Sequence, residues 1–265
     1  MAKYLIVNAD DYGIAASVSQ GIRESHQRGI VTSTTVMIGM DNAAEAVQQA
    51  LKETPHLALG LHLVVAGKAQ KPVLPPDQIP TLVRPDGLFY DHPAWGEHAP
   101  SFNPDEMMRE VHAQFERFVA VANRLPTHLD SHYHATYFHP TAVEAMRSLA
   151  LTHHLPLRHD RGVGQSIVDG IPHPVSFYEL DHDQPIEVLL SFLKTLPEGE
   201  IVELCCHPGY SNDTLSEIDN WTTVREIDLA YVTDPRVQAV IASEQITLCN
   251  FDVFKKRFVG QDSPL

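Results

Sequence analysis

Cysteine and basic charge are both scarce in this chain. Its three cysteines, Cys205, Cys206 and Cys249, are odd in number and too few for a disulfide framework. Only 19 Lys and Arg stand against 34 Asp and Glu over 265 residues, a net charge of −15. Polyanion binding needs a basic surface, so nucleic acid and anionic membranes are excluded as partners. No apolar run reaches the roughly 18 residues of a membrane-spanning helix. The first residues lack the long apolar stretch and small-residue cleavage site of a signal peptide, and a cytoplasmic location is the expectation.

What is present suits a folded enzyme. The chain is 43% hydrophobic and 20% charged, enough apolar material for a core. Its length fits one large α/β domain or two of about 130 residues. Histidine is abundant, at 16 residues. It is the commonest metal ligand and the side chain suited to proton transfer near neutral pH.

Short apolar or β-branched runs at 4–7, 34–38, 57–63, 127–130, 155–158, 201–205 and 245–248 read as strands, the one at 155–158 weakly. Helical periods lie between them, at about 15–28, 41–53, 104–123, 141–152, 186–196, 224–233 and 235–243. Met107, Val111, Phe115, Phe118 and Ala122 recur at helical spacing and read as core. Strands alternating with helices imply a parallel sheet, open or closed into a barrel. The rhythm breaks at about 64–104, where eight prolines and no clear period mark an irregular insertion, a candidate lid or binding loop.

Parallel α/β folds carry their chemistry at the carboxyl ends of strands. Five of the seven strands end in an ionisable or metal-binding group: Asp10 and Asp11, then His62, Asp130 with His132 and His134, Arg158, and His207. The pair Asp10-Asp11 reads either as a metal ligand beside a free base or as the acidic cap of a helix. Adjacent strand residues face opposite ways, and Gly13 is the expected source of the freedom to turn both inward. His62 in its apolar strand is a ligand or an ordinary buried histidine. Asp130 is placed to fix a histidine ring as its hydrogen-bond partner. Two His and one Asp from three strand ends, with a spare carboxylate, resemble the open site of hydrolytic zinc enzymes. His207 is read as a general acid in preference to half of a Cys–His nucleophile.

Five segments occur in order: Asn8-Ala9-Asp10-Asp11-Tyr12-Gly13, Gly29-Ile30-Val31-Thr32-Ser33-Thr34, Gly60-Leu61-His62-Leu63, Thr127-His128-Leu129-Asp130-Ser131-His132 and Cys206-His207-Pro208-Gly209-Tyr210. Together they resemble the YdjC-like carbohydrate deacetylases, a family that includes chitooligosaccharide deacetylase. The resemblance runs from Tyr4 to about Phe251. It implies a distorted (β/α) barrel of about seven parallel strands, of the glycoside hydrolase/deacetylase type. It also implies removal of an acetyl group from an N-acetylated amino sugar, and a homodimer. By resemblance Asp11, His62 and His132 hold one divalent metal ion, Mg²⁺ or Zn²⁺, Asp10 is the base and His207 the acid. Two departures stand out: Tyr133 separates His132 from His134 where many members read three histidines, and Cys205 stands where members often carry Met.

The reading is therefore a single deacetylase domain over 1–265 with an insertion at about 64–104. Tyr133, His134, Arg158 and Trp95 are its candidate substrate contacts. Arg158 is read either as touching substrate or as orienting Asp10. The loop aromatics Phe89, Tyr90, Trp95 and Phe102 suit sugar faces or a small cluster of their own. The rival readings are another amide or phosphoester hydrolase on the same scaffold, a two-carboxylate glycosidase, and a non-catalytic sugar- or metal-binding protein.

Overall fold

The computed structural model describes residues 2–159 and 164–255. Seven strands alternate with helices along these residues: β1 Lys3–Tyr12, α1 Ala16–Arg28, β2 Ser33–Val36, α2 Ala43–Glu53, β3 Ala58–Leu63, α3 His92–His98, α4 Pro104–Ala122, β4 Leu129–Ser131, α5 Pro140–His153, β5 Ser176–Glu179, α6 Ile186–Lys194, β6 Ile201–Cys206, α7 Asp213–Ile218, α8 Val224–Thr233, α9 Pro235–Ser243 and β7 Ile246–Cys249. Every strand pairing is parallel, and the order across the sheet is β4-β3-β2-β1-β6-β5, with β7 also on β1. The sheet curls into a distorted half-barrel with helices around it, as the alternation of elements requires. Leu5, Val7, Leu59, Leu61 and Leu204 are fully buried in its core. No described helix is long and apolar enough to cross a membrane.

Two expectations need correction. The run at 155–158 makes one bridge, Leu157 to Leu129, and is not a strand. The fifth strand is Ser176–Glu179, a four-residue edge strand whose half-exposed pattern gives no periodic signal. Arg158 still reaches the sheet, because its N–H donates to the Leu129 carbonyl.

The insertion is more ordered than its composition suggests. It carries α3, whose first turn is capped by Asp91, and it is tied down by α4. Besides its apolar side, α4 buries Glu106, Glu110 and Gln114, spaced four residues apart. Glu106 accepts from the Thr81 N–H, Glu110 from those of Val73 and Leu74, and Gln114 from that of Val64.

Candidate active site

The site begins with an irregularity in β1. Register with β2 shifts between Ala9 and Tyr12, and Asp11 has φ 70°, in the left-handed region. The bulge brings adjacent carboxylates to one cavity, which a regular strand would prevent. Asp11 itself makes this turn; Gly13 lies beyond it. Asn8 fixes the first carboxylate by donating to Asp10 Oδ1 at 2.8 Å, while Ser33 donates to Asn8 Oδ1 at 2.7 Å. Ser33 on β2 thus acts on Asp10 through Asn8, and Thr35 accepts from Asn8 and donates to Asp10 Oδ1 at 3.4 Å.

Three side chains from three strand ends converge. His62 Nε2 and His132 Nδ1 lie 3.3 Å and 3.1 Å from Asp11 Oδ1, and 3.3 Å from each other. All three residues are buried. Tetrahedral ligands about 2.1 Å from one ion stand roughly 3.4 Å apart, so this spacing suits a shared cation. His62 Nδ1 is 2.7 Å from Asp130 Oδ1, an arrangement that fixes the ring and turns Nε2 toward the others. Asp11 Oδ1 is buried without a hydrogen-bond donor. The His62 pKa is pushed up to about 10: burial opposes the charge, but Asp130, Asp11 and Asp10 outweigh it. The surroundings therefore call for positive charge at this point, and the donor set fits a divalent ion.

Beyond His132 the chain kinks. Tyr133 and His134 both adopt left-handed backbone, with φ 51° and 55°. The kink puts both on the cavity wall.

The Asp10 carboxylate is gripped by Arg158, with Nη1 at 2.6 Å from Oδ2 and Nη2 at 2.7 Å from Oδ1. Arg158 also pairs with Glu203 at 2.8 Å and Asp130 at 3.0 Å. Burial alone would raise the Asp10 pKa; the Arg158 fork outweighs it and holds the carboxyl well below the usual range. Burial likewise favours the neutral form of Asp11, but Arg225 and His132 overcome it and keep its pKa low. Glu203 is pushed up to about 7, burial exceeding what Arg158 restores.

His207 Nε2 stands 3.9 Å from Asp10 Oδ2, and its ring meets Trp221 edge-on at 4.6 Å. Burial lowers its pKa to about 4 despite the nearby Asp10 and Asp11. Its backbone N–H donates to Asp228 at 2.7 Å. The following Pro208-Gly209 closes on α1: a Cβ on Gly21 would lie 2.6 Å from the Gly209 Cα, so the helix needs glycine at position 21 for the loop to approach this closely.

A cavity of about 370 Å³ contains these groups, lined by Asp10, Asp11, His62, His132, His207 and Arg225 among others. Tyr133, His134, Trp221 and His92 also face it. Two expected substrate residues do not. Arg158 is 1% exposed with its guanidinium spent on three acids, so the structure favours orientation of Asp10 over contact with substrate. Trp95 is 7% exposed and packs on Phe102 at 6.0 Å, in keeping with a cluster internal to the insertion. His128 stacks on Phe251 at 3.6 Å and His139 caps α5, both structural roles.

Sequence reasoning missed Arg225. It is buried, donates to Asp11 Oδ2 at 2.7 Å and to Asp219, and so leaves Asp11 Oδ1 to the histidines. An arginine in the first turn of a helix ordinarily reads as solvated, and no spacing marks this one. Asp219 and Trp221 were missed for the same reason: they lie in a stretch without period.

A curled parallel sheet with carboxylates and imidazoles gathered at its strand ends defines an enzyme of the half-barrel α/β class. Comparison with known proteins narrows this. The family model for YdjC-like proteins matches residues 4–243. Proteins named carbohydrate deacetylase from Clostridium beijerinckii and Geobacillus stearothermophilus are 32% and 33% identical to it, over 251 and 257 residues. The first match covers 93% of this chain and 98% of that protein, the second 97% and 100%. A solved structure from Enterococcus faecalis V583 superposes with a TM-score of 0.87 at 30% identity, covering 96% of this chain and 99% of the other. A T48 deacetylase solved with substrate shares the fold, with a TM-score of 0.51 at 14% identity over 99% of this chain and 94% of that one. The chain belongs to the YdjC-like family.

Proposed function

We propose that this protein is a metal-dependent carbohydrate deacetylase that hydrolyses the acetamide of an N-acetylated amino sugar, releasing acetate. Carbohydrate deacetylation is the activity for which its relatives are named. The observation that carries the reading is the mutual approach of Asp11, His62 and His132 to within 3.3 Å, beside Asp10, which stays outside that triad. Two imidazoles and one carboxylate suit Zn²⁺, and Mg²⁺ is the alternative.

The ion, when bound, supplies Lewis acidity to the acetamide carbonyl and to the attacking water. Asp10 accepts a proton from that water. Arg158 keeps this carboxylate ionised and fixed in direction, so it is in its basic form before substrate arrives. His207, neutral at rest because burial lowers its pKa, takes that proton from Asp10 Oδ2, 3.9 Å from its Nε2, and delivers it to the leaving nitrogen. The water oxygen joins the acetyl carbon, the C–N bond breaks, and the products are acetate and a free amino sugar. Trp221 and Tyr133 on the cavity wall offer aromatic faces to the apolar faces of a sugar ring.

The test is acetate release from N-acetylglucosamine and its oligomers, with and without a chelator. Release that stops with chelator and returns on adding a divalent ion supports the reading. Acetate release that a chelator leaves intact, with bound metal verified as gone, contradicts it.

A further inference from the structure

The cavity holds a second group of metal-ligating atoms. Asp10, Cys205 and His207 each offer one ligand atom, and these atoms lie within 4.8 Å of one another. Strand alternation separates the two neighbouring cysteines. Cys206 packs into the apolar core, whereas Cys205 stays outside the apolar clusters and lines the cavity. Cys205 pairs in register with Asn8 on β1 and with Glu179 on β5, so its position is held from both sides. Asp10 Oδ2 accepts one bond from Arg158, which leaves it a second lone pair, and His207 Nε2 is 3.9 Å away.

We propose that Asp10, Cys205 and His207 form a second site for a thiophilic divalent ion such as Zn²⁺ or Cd²⁺, and that its occupation inhibits the enzyme. Sulfur, nitrogen and one carboxylate oxygen suit a tetrahedral set with one open position, and of the three metal-ligating groups among the described residues, the third being Asp10, His62 and Asp130, only this one contains sulfur. Binding releases the thiol proton to solvent; thiolate and carboxylate then balance the ion's two charges. The ion takes the lone pairs that Asp10 and His207 need for proton transfer, so loading it stops turnover. This consequence rests on the roles proposed above for those two residues.

The test is titration of metal-stripped protein with Cd²⁺, following bound ions by equilibrium dialysis and thiolate-to-Cd²⁺ charge transfer by ultraviolet absorption. The wild type is expected to bind two ions, the second bringing the absorption band and at least a tenfold fall in acetate release. Cys205→Ala is expected to bind one ion without the band, and excess Cd²⁺ then leaves that variant at its own one-ion rate. Cys205→Met serves if the alanine variant fails to fold, and His62→Ala is expected to lose the first ion and keep the band. Saturation of the wild type without the band, a band that persists without Cys205, or an ion that brings the band without inhibition overturns the inference. Failure of the first ion to bind counts instead against the proposed function.

Discussion

The carboxyl rim of the sheet and the 64–104 insertion are both irregular chain, yet they are held by opposite means. At the rim, buried acids meet buried cations: Asp10 meets Arg158, and Asp11 meets Arg225. Against the insertion, buried acids of α4 meet backbone: Glu110 accepts from the N–H groups of Val73 and Leu74. The result is a contrast in protonation. The two rim aspartates are held below the usual carboxylate range, whereas burial pushes Glu110 up to about 7 because backbone N–H groups and Gln114 do not offset it. The two-pronged grip of Arg158 outweighs burial at Asp10, whereas burial wins at Glu203, which meets a single N–H of the same arginine, and at Glu110, which has N–H donors and the field of Arg117. The rim is therefore built to present charge, and the insertion to anchor a loop.

The largest effects are expected where the rim loses a ligand. Asp11→Asn or His62→Ala should abolish ion binding and acetate release together. Asp10→Asn should keep the ion and lose turnover by about 10²–10⁴-fold. A variant at Asp10 that retains wild-type turnover would remove it as the base. Next in size is Arg158→Met, which leaves Asp10, Asp130 and Glu203 buried without their shared cation. Urea unfolding should show a loss of about 3–5 kcal/mol; an unchanged midpoint would break the contrast drawn above.

Glu110 sharpens the comparison from the other side. Its pKa in the folded chain, about 7, lies above its ordinary value of 4.5. The folded state therefore binds this proton more tightly than the unfolded chain does. The stability this contributes is fully present below pH 4.5 and is lost as pH rises through 7. The span corresponds to about 3 kcal/mol. Unfolding free energy of wild type and Glu110→Gln, measured from pH 4.5 to 8, should diverge in slope, with the variant flatter; parallel curves would refute the assignment. The smallest effects separate two tryptophans. Trp221→Ala should raise KM severalfold with little change in stability, while Trp95→Ala should lower stability and leave KM alone. A KM effect at Trp95 would move the insertion into the substrate site.

Much of this architecture was legible from residue patterns, for a physical reason. Strands at 57–63 and 201–205 and the helix at 104–123 carry strong periods, and parallel topology then forces their polar ends to one rim. His62, Asp130 and His132 are found this way because each lies in or directly after a readable strand. The rest depended on contacts between distant segments. Arg225 reaches Asp11 across 214 positions of sequence, and nothing local distinguishes it from a surface arginine. Glu106, Glu110 and Gln114 carry no signal of burial, because the backbone they bind lies in a segment without period. The left-handed turn at Asp11 was invisible too, since aspartate tolerates that conformation without a sequence signal as plain as glycine.

Whether Asp11, His62 and His132 share one ion is decided by anomalous X-ray scattering at the zinc edge from crystals loaded with one equivalent of Zn²⁺. One peak is expected, bonded by Asp11 Oδ1, His62 Nε2 and His132 Nδ1, with Asp10 outside its ligand set. A peak elsewhere, or none between these three atoms, would contradict a shared ion.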